Sequence, residues 1–500
     1  MSSTGGTQQV VENPTYMKDI RAFFTPTDVA HMNGLGIGLS TYDDVKKRAV
    51  QIYFMTKPPA GPMPPGKPWS VDQSQTFENW IRNGCPLGTP TPQSSPVAAG
   101  AAGGRVRKNV TSLSSAELDT LKTAFSGLMG RDPSQADSYF ALAAVHGLPQ
   151  QWCAHHVDPF NPWHRAYLKQ FEDALRAVPG CENVTLPYWD FTTSLPDVLQ
   201  QPPFDAYTLH VDPGAGASPP VSDPEYKPPY TTQRNTPAQI LQNMQANGVP
   251  DDVATSLKQS RWGAYNTGGY QDFSIQAHDG GHDAIGPTMG DQDVASYDPV
   301  FWFFHANIDR LFLGWQQLVG ATTLAGFEST LDDASWLSPP INALPPLQMT
   351  SDQTITLGIS YDELPVRPDA AQLENKVGSI DAASTVSIKR SSPISVRVKG
   401  INRMNIPGTF RVTLLADGEP IARRAFFQPK RPTECATCRE QALVNLDFRI
   451  DPDKLLDRKL SVVIDVGGQA EIGHFPLSQA GNPTINARLL LDEEAQPASG

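Results

Sequence analysis

Six of the ten histidines in this 500-residue chain fall where helices can carry or position them. His146 ends the stretch SYFALAAVHG. His155 and His164 belong to CAHHVDPFNPWHRAYLKQFEDAL (153–175). His278 and His282, in AHDGGHD, are four residues apart, so on a helix they share one face. His305 lies in DPVFWFFHANIDRLF, where Pro299 can open a helix that carries it inward. His164 heads an apolar series at helical spacing, Leu168, Phe171 and Leu175, and therefore points into a core. A buried imidazole needs a hydrogen bond or a metal for its ring nitrogens. One such residue alone reads as a satisfied core histidine; two sets of three read as metal ligands. Imidazole suits copper, zinc, iron and nickel, and three per metal leave room for a small ligand. No carboxylate stands in the obvious ligand slots, which argues against a di-iron bundle. Asp279 follows His278 where a zinc-protease H-E-x-x-H motif requires Glu. The pattern fits two copper ions that together bind O2.

The elements that must position these residues divide the chain. Residues 1–86 form an N-terminal helical extension, with helices over 43–56 and from Ser70 to Trp80. Its end, MPPGKPWS…FENWIRNGCP, resembles the tail of small c-type cytochrome domains, although the haem motif C-x-x-C-H is absent. Residues 87–104 carry no charge and are rich in Pro, Gly, Ala and Ser, so 87–106 is a linker. An α-helical bundle spans 107–345. It opens on a capping box, Ser114 and Glu117, and its helical candidates are 115–129, 136–146, 162–177, 236–260 and 299–319. Residues 346–384 connect it to a C-terminal antiparallel β-sandwich over 385–490, whose short alternating runs include a hairpin signal at Asp417-Gly418. Residues 491–500 are a tail.

Bulk composition narrows the function. Hydrophobic residues make up 39% and charged residues 18%, as in a soluble globular protein, and the net charge of −13 argues against nucleic acid as a partner. No secretory leader and no apolar run long enough for a membrane span is visible, so a cytoplasmic, membrane-free protein is expected. Five cysteines give no disulfide framework and are expected to be reduced, specific chemistry apart.

The histidine segments carry a family resemblance. They read HG…CxH(x8)HRxYLxxFExAL and HxxxH…YDPxFWxxHxNxDRLFxxWQ, with PYWDF (187–191) between them, and they are similar to the tyrosinases. These are type-3 copper proteins, a family that includes catechol oxidases and mollusc haemocyanins. The resemblance covers about 107–320 and suggests a bacterial tyrosinase with a fungal-like C-terminal domain. It implies that His146, His155 and His164 hold one copper, and His278, His282 and His305 the other, with O2 as co-substrate. Spacing to His164 selects His155, and His156 becomes a neighbour. Cys153 is implied to form a thioether to His155, which would lock that ring. Asn307 and Asp309 are implied to orient ligand imidazoles, with Arg310 pairing a nearby acid. Phe304 departs from the pattern, since many relatives carry a histidine there. The glutamate and asparagine to which phenol deprotonation is often attributed are not visible; Asp279 occupies the asparagine position and is either the base or a structural acid.

The β-sandwich resembles domains that cover the active site in fungal pro-tyrosinases and some haemocyanins. Phe426 or Phe427 could project into the substrate pocket as a plug, or both could be ordinary core. Cys435 and Cys438, a C-x-x-C, suit soft Cu(I) and could load copper. The expected protein is a gated phenol oxidase that turns monophenols and o-diphenols into o-quinones. Small phenols are its substrates, and a copper chaperone or a second copy of the chain is an allowed partner. The alternatives are a catechol oxidase without monophenolase activity, a haemocyanin-like O2-binding protein and, least favoured for lack of a carboxylate ligand, a dizinc hydrolase.

Overall fold

The structure is a computed structural model. It describes residues 10–25, 28–29, 32, 39, 42–57, 69–83, 85–86, 105–217, 223–263, 267–339, 342–366, 394–455, 457–467 and 473–489. The linker at 87–104, the run 385–390, the tail, His31 and Met63 of the cytochrome-like stretch lie outside the described residues.

Four helices organise the centre: α1 (Tyr139–Ala144), α2 (Phe160–Arg176), α3 (Tyr270–Ile285) and α4 (Val300–Leu318). Helix α2 starts two residues before Pro162, which sits within the first turn, where its missing N–H is not needed. Its buried face includes Trp163, His164, Tyr167, Leu168, Phe171 and Leu175. Phe171 stacks on Trp302 of α4 with ring centroids 3.5 Å apart, a pairing that contributes about 0.5–1.5 kcal/mol beyond the area it buries.

Helix α3 is buried along its whole length. It therefore has no polar face, and its sequence shows no helical period. Gly280 and Gly281 let its neighbours approach: a Cβ at Gly281 would lie 2.5 Å from the Phe304 ring, and one at Gly280 would lie 2.8 Å from Val249. Phe304 thus fills space that a glycine on the facing helix leaves open. The helix expected over 236–260 is two, Pro237–Ala246 and Val249–Ser256. They are separated by Gly248 in the left-handed region (φ +71°), and the Arg424 guanidinium occupies the place its Cβ would take.

A buried ion network ties these helices to the chain on either side. Arg105–Arg107 pairs in parallel with Ile359–Tyr361. From this pair Arg107 reaches Glu172 at 3.2 Å and Asp309 at 3.1 Å, and the Tyr361 hydroxyl donates to Asp309 at 2.6 Å. Arg165 closes on the other oxygen of Asp309 at 2.5 Å. All five side chains lie in the interior, where unpaired charge is costly.

The C-terminal region consists of two three-stranded antiparallel sheets. With β1 (Ile394–Asn402), β2 (Phe410–Ala416), β3 (Glu419–Phe426), β4 (Leu443–Ile450), β5 (Leu460–Val466) and β6 (Thr484–Leu489), the strand orders are β6-β1-β4 and β3-β2-β5. Asp417 and Gly418 both have positive φ, 52° and 86°, and make the tight turn between β2 and β3. One apolar cluster draws on both sheets, through Val396, Val398, Val412, Leu446, Phe448 and Ile464. The N-terminal residues build a separate cluster in which Tyr16 and Trp69 pack with Phe77 and Trp80 of a helix (Val71–Arg82) that Ser70 and Gln73 cap reciprocally. Trp152 packs against both this cluster and the central one.

The β-region docks on α3 and the two short helices before it, mainly through arginines. Arg411 pairs with Asp283 at 2.9 Å, Arg424 with Asp252 at 3.0 Å, and Arg423 donates to Asn247 at 2.7 Å. Lys430 reaches Asp223 at 2.9 Å and Glu225 at 2.7 Å. Among the described residues no helix is long and apolar enough to cross a membrane.

Candidate metal centre

All six histidines converge in one buried cluster. His146 follows α1, His155 precedes α2, His164 is in the first turns of α2, His278 and His282 share one face of α3, and His305 comes from α4. None is more than 4% exposed. His282 Nε2 lies 3.1 Å from His305 Nε2, and His146 Nε2 lies 3.2 Å from His155 Nε2. The rings of His164 and His305 are parallel, with centroids 4.6 Å apart. His278, His282 and His305 form one group with ligand atoms within 4.8 Å of one another. Two further groups at that spacing mix the trios, His146–His164–His305 and His155–His164–His278, so the two sets face each other directly.

The imidazoles are neutral and short of partners. Burial pushes His164 and His282 down to about 3 and holds the other four well below the ordinary histidine range. His164 Nδ1 faces the Phe160 carbonyl at 2.8 Å, His282 Nδ1 the Met289 carbonyl at 2.7 Å, and His278 Nδ1 the Asp279 carboxylate at 2.9 Å. Each acceptor fixes the proton on Nδ1 and leaves a lone pair on Nε2. The Nε2 atoms of His164 and His278, and the Nδ1 atoms of His146, His155 and His305, have no partner. A buried unsatisfied group costs about 1–3 kcal/mol, so five together are intelligible only if something else meets them. Metal ions with open positions fit, and among the described residues no group at this spacing contains a carboxylate, which favours a metal that accepts imidazole alone.

The walls are aromatic. Phe301 touches His146 and His305 with centroids 4.7 and 4.2 Å apart, and Phe160 lies 4.6 Å from His164. The PYWDF run abuts α4, where the Trp189 N–H donates to the Phe303 carbonyl at 3.1 Å. Phe427, just past β3, stacks on His282 with centroids 4.0 Å apart and meets His155 and His278 edge-on. Phe426 points the other way, into the β-region cluster, stacking on Phe410 and on His156. The two phenylalanines that sequence could not separate thus belong to different cores.

Other expected residues lie as follows. Cys153 is buried with its sulfur within 4.8 Å of ligand atoms of His146 and His155, and it accepts from Gln292 at 3.1 Å. Burial pushes its thiol up to about 12. Asp279 gives Oδ1 to His278, while Oδ2 accepts from His156 Nε2 at 2.8 Å and from the Phe427 N–H at 3.1 Å. Asp309 turns to Arg107, Arg165 and Tyr361 rather than to an imidazole, and Asn307 accepts from Arg310 at 3.0 Å. Asn307, two positions beyond His305, is turned to the opposite side of the helix, whereas Asp309 shares the His305 face but lies one turn further along, where Arg107, Arg165 and Tyr361 reach it. Arg310 also approaches Asp190, at 3.6 Å. Cys435 and Cys438 are joined as a disulfide, against the expectation of reduced thiols, so Cu(I) could bind them only after reduction. The link from Arg403 through His156 to Asp279 carried no signal in the sequence, because each of its steps joins residues more than a hundred positions apart.

Comparisons agree with this geometry. Residues 136–318 match the family model described as the common central domain of tyrosinase. Hemocyanin A-type, units Ode to Odg, of Enteroctopus dofleini is 30% identical over 252 residues, 45% of this chain and 19% of that protein. The chain spans less than a fifth of the length of the curated relatives it matches first. Among solved structures, tyrosinase from Burkholderia thailandensis superposes with a TM-score of 0.53 at 20% identity, over 77% of this chain and 100% of that one. A mushroom tyrosinase crystallised in latent and active forms gives 0.55 at 18% identity, over 79% and 93%. At these identities the structures speak for the fold: a tyrosinase-like helical core with an antiparallel β-region. In its central domain, residues 136–318, and in its six converging histidines, the chain is similar to the tyrosinase, or type-3 copper, family.

Proposed function

We propose that this protein is a phenol oxidase that uses two copper ions and O2 to convert monophenols and o-diphenols to o-quinones. The observation that carries it is the cluster of six neutral, buried imidazoles with five unpartnered ring nitrogens and no carboxylate among them. Copper bound there supplies O2 activation and electron transfer; the residues supply geometry, dryness and control of protons. His146, His155 and His164 hold one ion, and His278, His282 and His305 the other. Cys153 lies close enough to His155 for a thioether to restrain that ring. Mass spectrometry of the copper-loaded, aerated protein should then find the Cys153–His155 peptide lighter by two hydrogen atoms.

Phenol hydroxylation needs a proton acceptor, since a free phenol has a pKa near ~10. Asp279 touches the cluster through His278, and burial raises its pKa, partly offset by His156, the Phe427 N–H and Arg403. One of its acceptor positions is taken by the Phe427 N–H. Withdrawal of the β-region, as a gating lid, would free that position for a phenol. A sandwich of the two sheets and a cytoplasmic location complete the reading.

Permanent closure favours a second reading. Phe427 is fully buried on His282, as would suit a protein that binds O2 without turning over phenols. Loading with copper, then adding tyrosine and afterwards a catechol while following quinone absorbance, decides between them. Quinone from both substrates supports a tyrosinase, quinone from catechol alone a catechol oxidase, and copper uptake with neither an O2-binding protein. A gating test should cut the chain within 367–393, because removal from 350 onward would take Tyr361 out of the Asp309 network.

A further inference from the structure

Arg403 follows β1 and is buried against the helical region, 1% exposed. Its Nη1 faces His156 Nδ1 at 3.3 Å, its Nε donates to Gln428 at 2.9 Å, its Nη2 meets Cys438 Sγ at 3.2 Å, and its guanidinium lies over the Phe426 ring. A guanidinium can only donate. His156 Nδ1 must therefore accept, and the His156 proton must be on Nε2, which faces Asp279 Oδ2 at 2.8 Å. The other oxygen of Asp279 faces His278 Nδ1 at 2.9 Å and fixes that proton in turn, so that the unpartnered Nε2 of His278 presents its lone pair to the cluster. The donors converge on Asp279: Arg403 donates to His156 and His156 to Oδ2 from the β-region side, and the cluster histidine His278 donates to Oδ1 from the other. His156 stands with positive φ, 57°, and its ring stacks on Phe426 at 4.2 Å. Both features hold the imidazole where it bridges the two regions, and the Phe427 N–H adds a further donor to the same Asp279 oxygen.

We propose that Arg403 is a positioning residue for the second metal half-site: through His156 and Asp279 it fixes the tautomer and orientation of His278. The β-region then does more than cover the centre; it completes the support of one ligand. This rests on reading the six histidines as the metal site. It is a role distinct from holding the two regions together, which Arg411, Arg424 and Lys430 serve elsewhere on the interface.

The test uses the full chain. Arg403→Met keeps the length and removes the donors, Arg403→Lys restores one, and Lys430→Met weakens the same interface away from the relay. Copper-loaded proteins are challenged with a Cu(I) chelator under reducing conditions, and metal-free proteins labelled with 15N-histidine report their tautomers. Wild type should hold two copper ions per chain. In Arg403→Met one of them should leave about 10–100-fold faster, Arg403→Lys should recover part of that difference, and Lys430→Met should match wild type. In the metal-free protein, His156 should be Nε2-protonated and His278 Nδ1-protonated, and both signatures should blur in Arg403→Met. Unchanged copper release together with unchanged tautomers in Arg403→Met would overturn the proposal. If wild type takes up no copper, the metal reading fails, and the tautomer measurement still decides the relay. Should Arg403→Met not fold by circular dichroism, His156→Phe takes its place and His156→Gln, which keeps a donor and an acceptor, is the rescue.

Discussion

His146 and His164 are held by the helical region itself, through the Phe160 carbonyl and packing against Phe160 and Phe301, while His155 also meets Phe427 edge-on. His278 and His282 are held from two sides. Their helix supplies Asp279, and a nearby turn supplies the Met289 carbonyl, but Phe427 rests on His282, and Asp279 is itself gripped by the Phe427 N–H and by His156. The two proposed half-sites offer the same ligand type in the same dry surroundings, and differ in how much of their support is borrowed. A half-site supported within its own domain can form before the β-region docks. One that shares its support is sensitive to whatever moves that region. If the protein is gated, control should therefore act on the second half-site first.

The largest expected effect treats the halves alike. His164→Ala and His305→Ala each remove a ligand with an unpartnered ring nitrogen. Each should lower copper content from two ions per chain towards one and abolish quinone formation, as measured by elemental analysis and absorbance. Retention of both ions in either variant would remove that histidine from the ligand set.

The adjacent phenylalanines separate the two kinds of support. Phe426→Ala hollows the β-region cluster and takes the stacking partner from His156, and should cost about 3–5 kcal/mol of stability in denaturant titrations. Phe427→Ala leaves that cluster intact and uncovers His282. Loss of a stacking contact worth about 0.5–1.5 kcal/mol should speed catechol turnover by about two- to tenfold. If Phe427→Ala instead lowers turnover while copper content is held, the aromatic serves the centre rather than covering it.

What the sequence made legible follows from how local each signal is. The Ser114–Glu117 capping box, the hairpin at Asp417-Gly418 and the helix carrying His164 each depend on residues within a few positions, and each forms. Helix α3 was legible only through the spacing of His278 and His282, because burial on every side erases the amphipathic period. The break at Gly248 makes room for an arginine 176 residues further on, and the Asp309 network joins residues 202 positions apart. The same distance hid the link from Arg403 through His156 to Asp279. A histidine beside a ligand histidine reads as a neighbour until Asp279 and the β-region are brought against it. Phe427 differs from Phe426 only in the direction it faces after β3 ends, which alternation along a strand cannot assign without knowing where pairing stops.

The smallest effect concerns the metal-free protein. His164 in the first trio and His282 in the second have folded-state pKa values near 3, lowered by burial from the ordinary 6.5. Below about pH 6.5 the unfolded chain binds protons that the folded chain does not. Their contribution to stability is therefore complete above that pH and is lost as pH falls from about 6.5 towards 3, at about 1.4 kcal/mol per pH unit for each residue. Urea midpoints of metal-free protein measured between pH 7 and 5 should fall accordingly. In Phe427→Ala, water gains access to His282 but not to His164, so its pKa should rise towards the ordinary value and the slope should shrink by no more than the share of one histidine. A slope that is unchanged would mean that the β-region does not keep His282 dry. A slope that vanishes would mean that it keeps both trios dry, and that the first half-site is no more self-contained than the second.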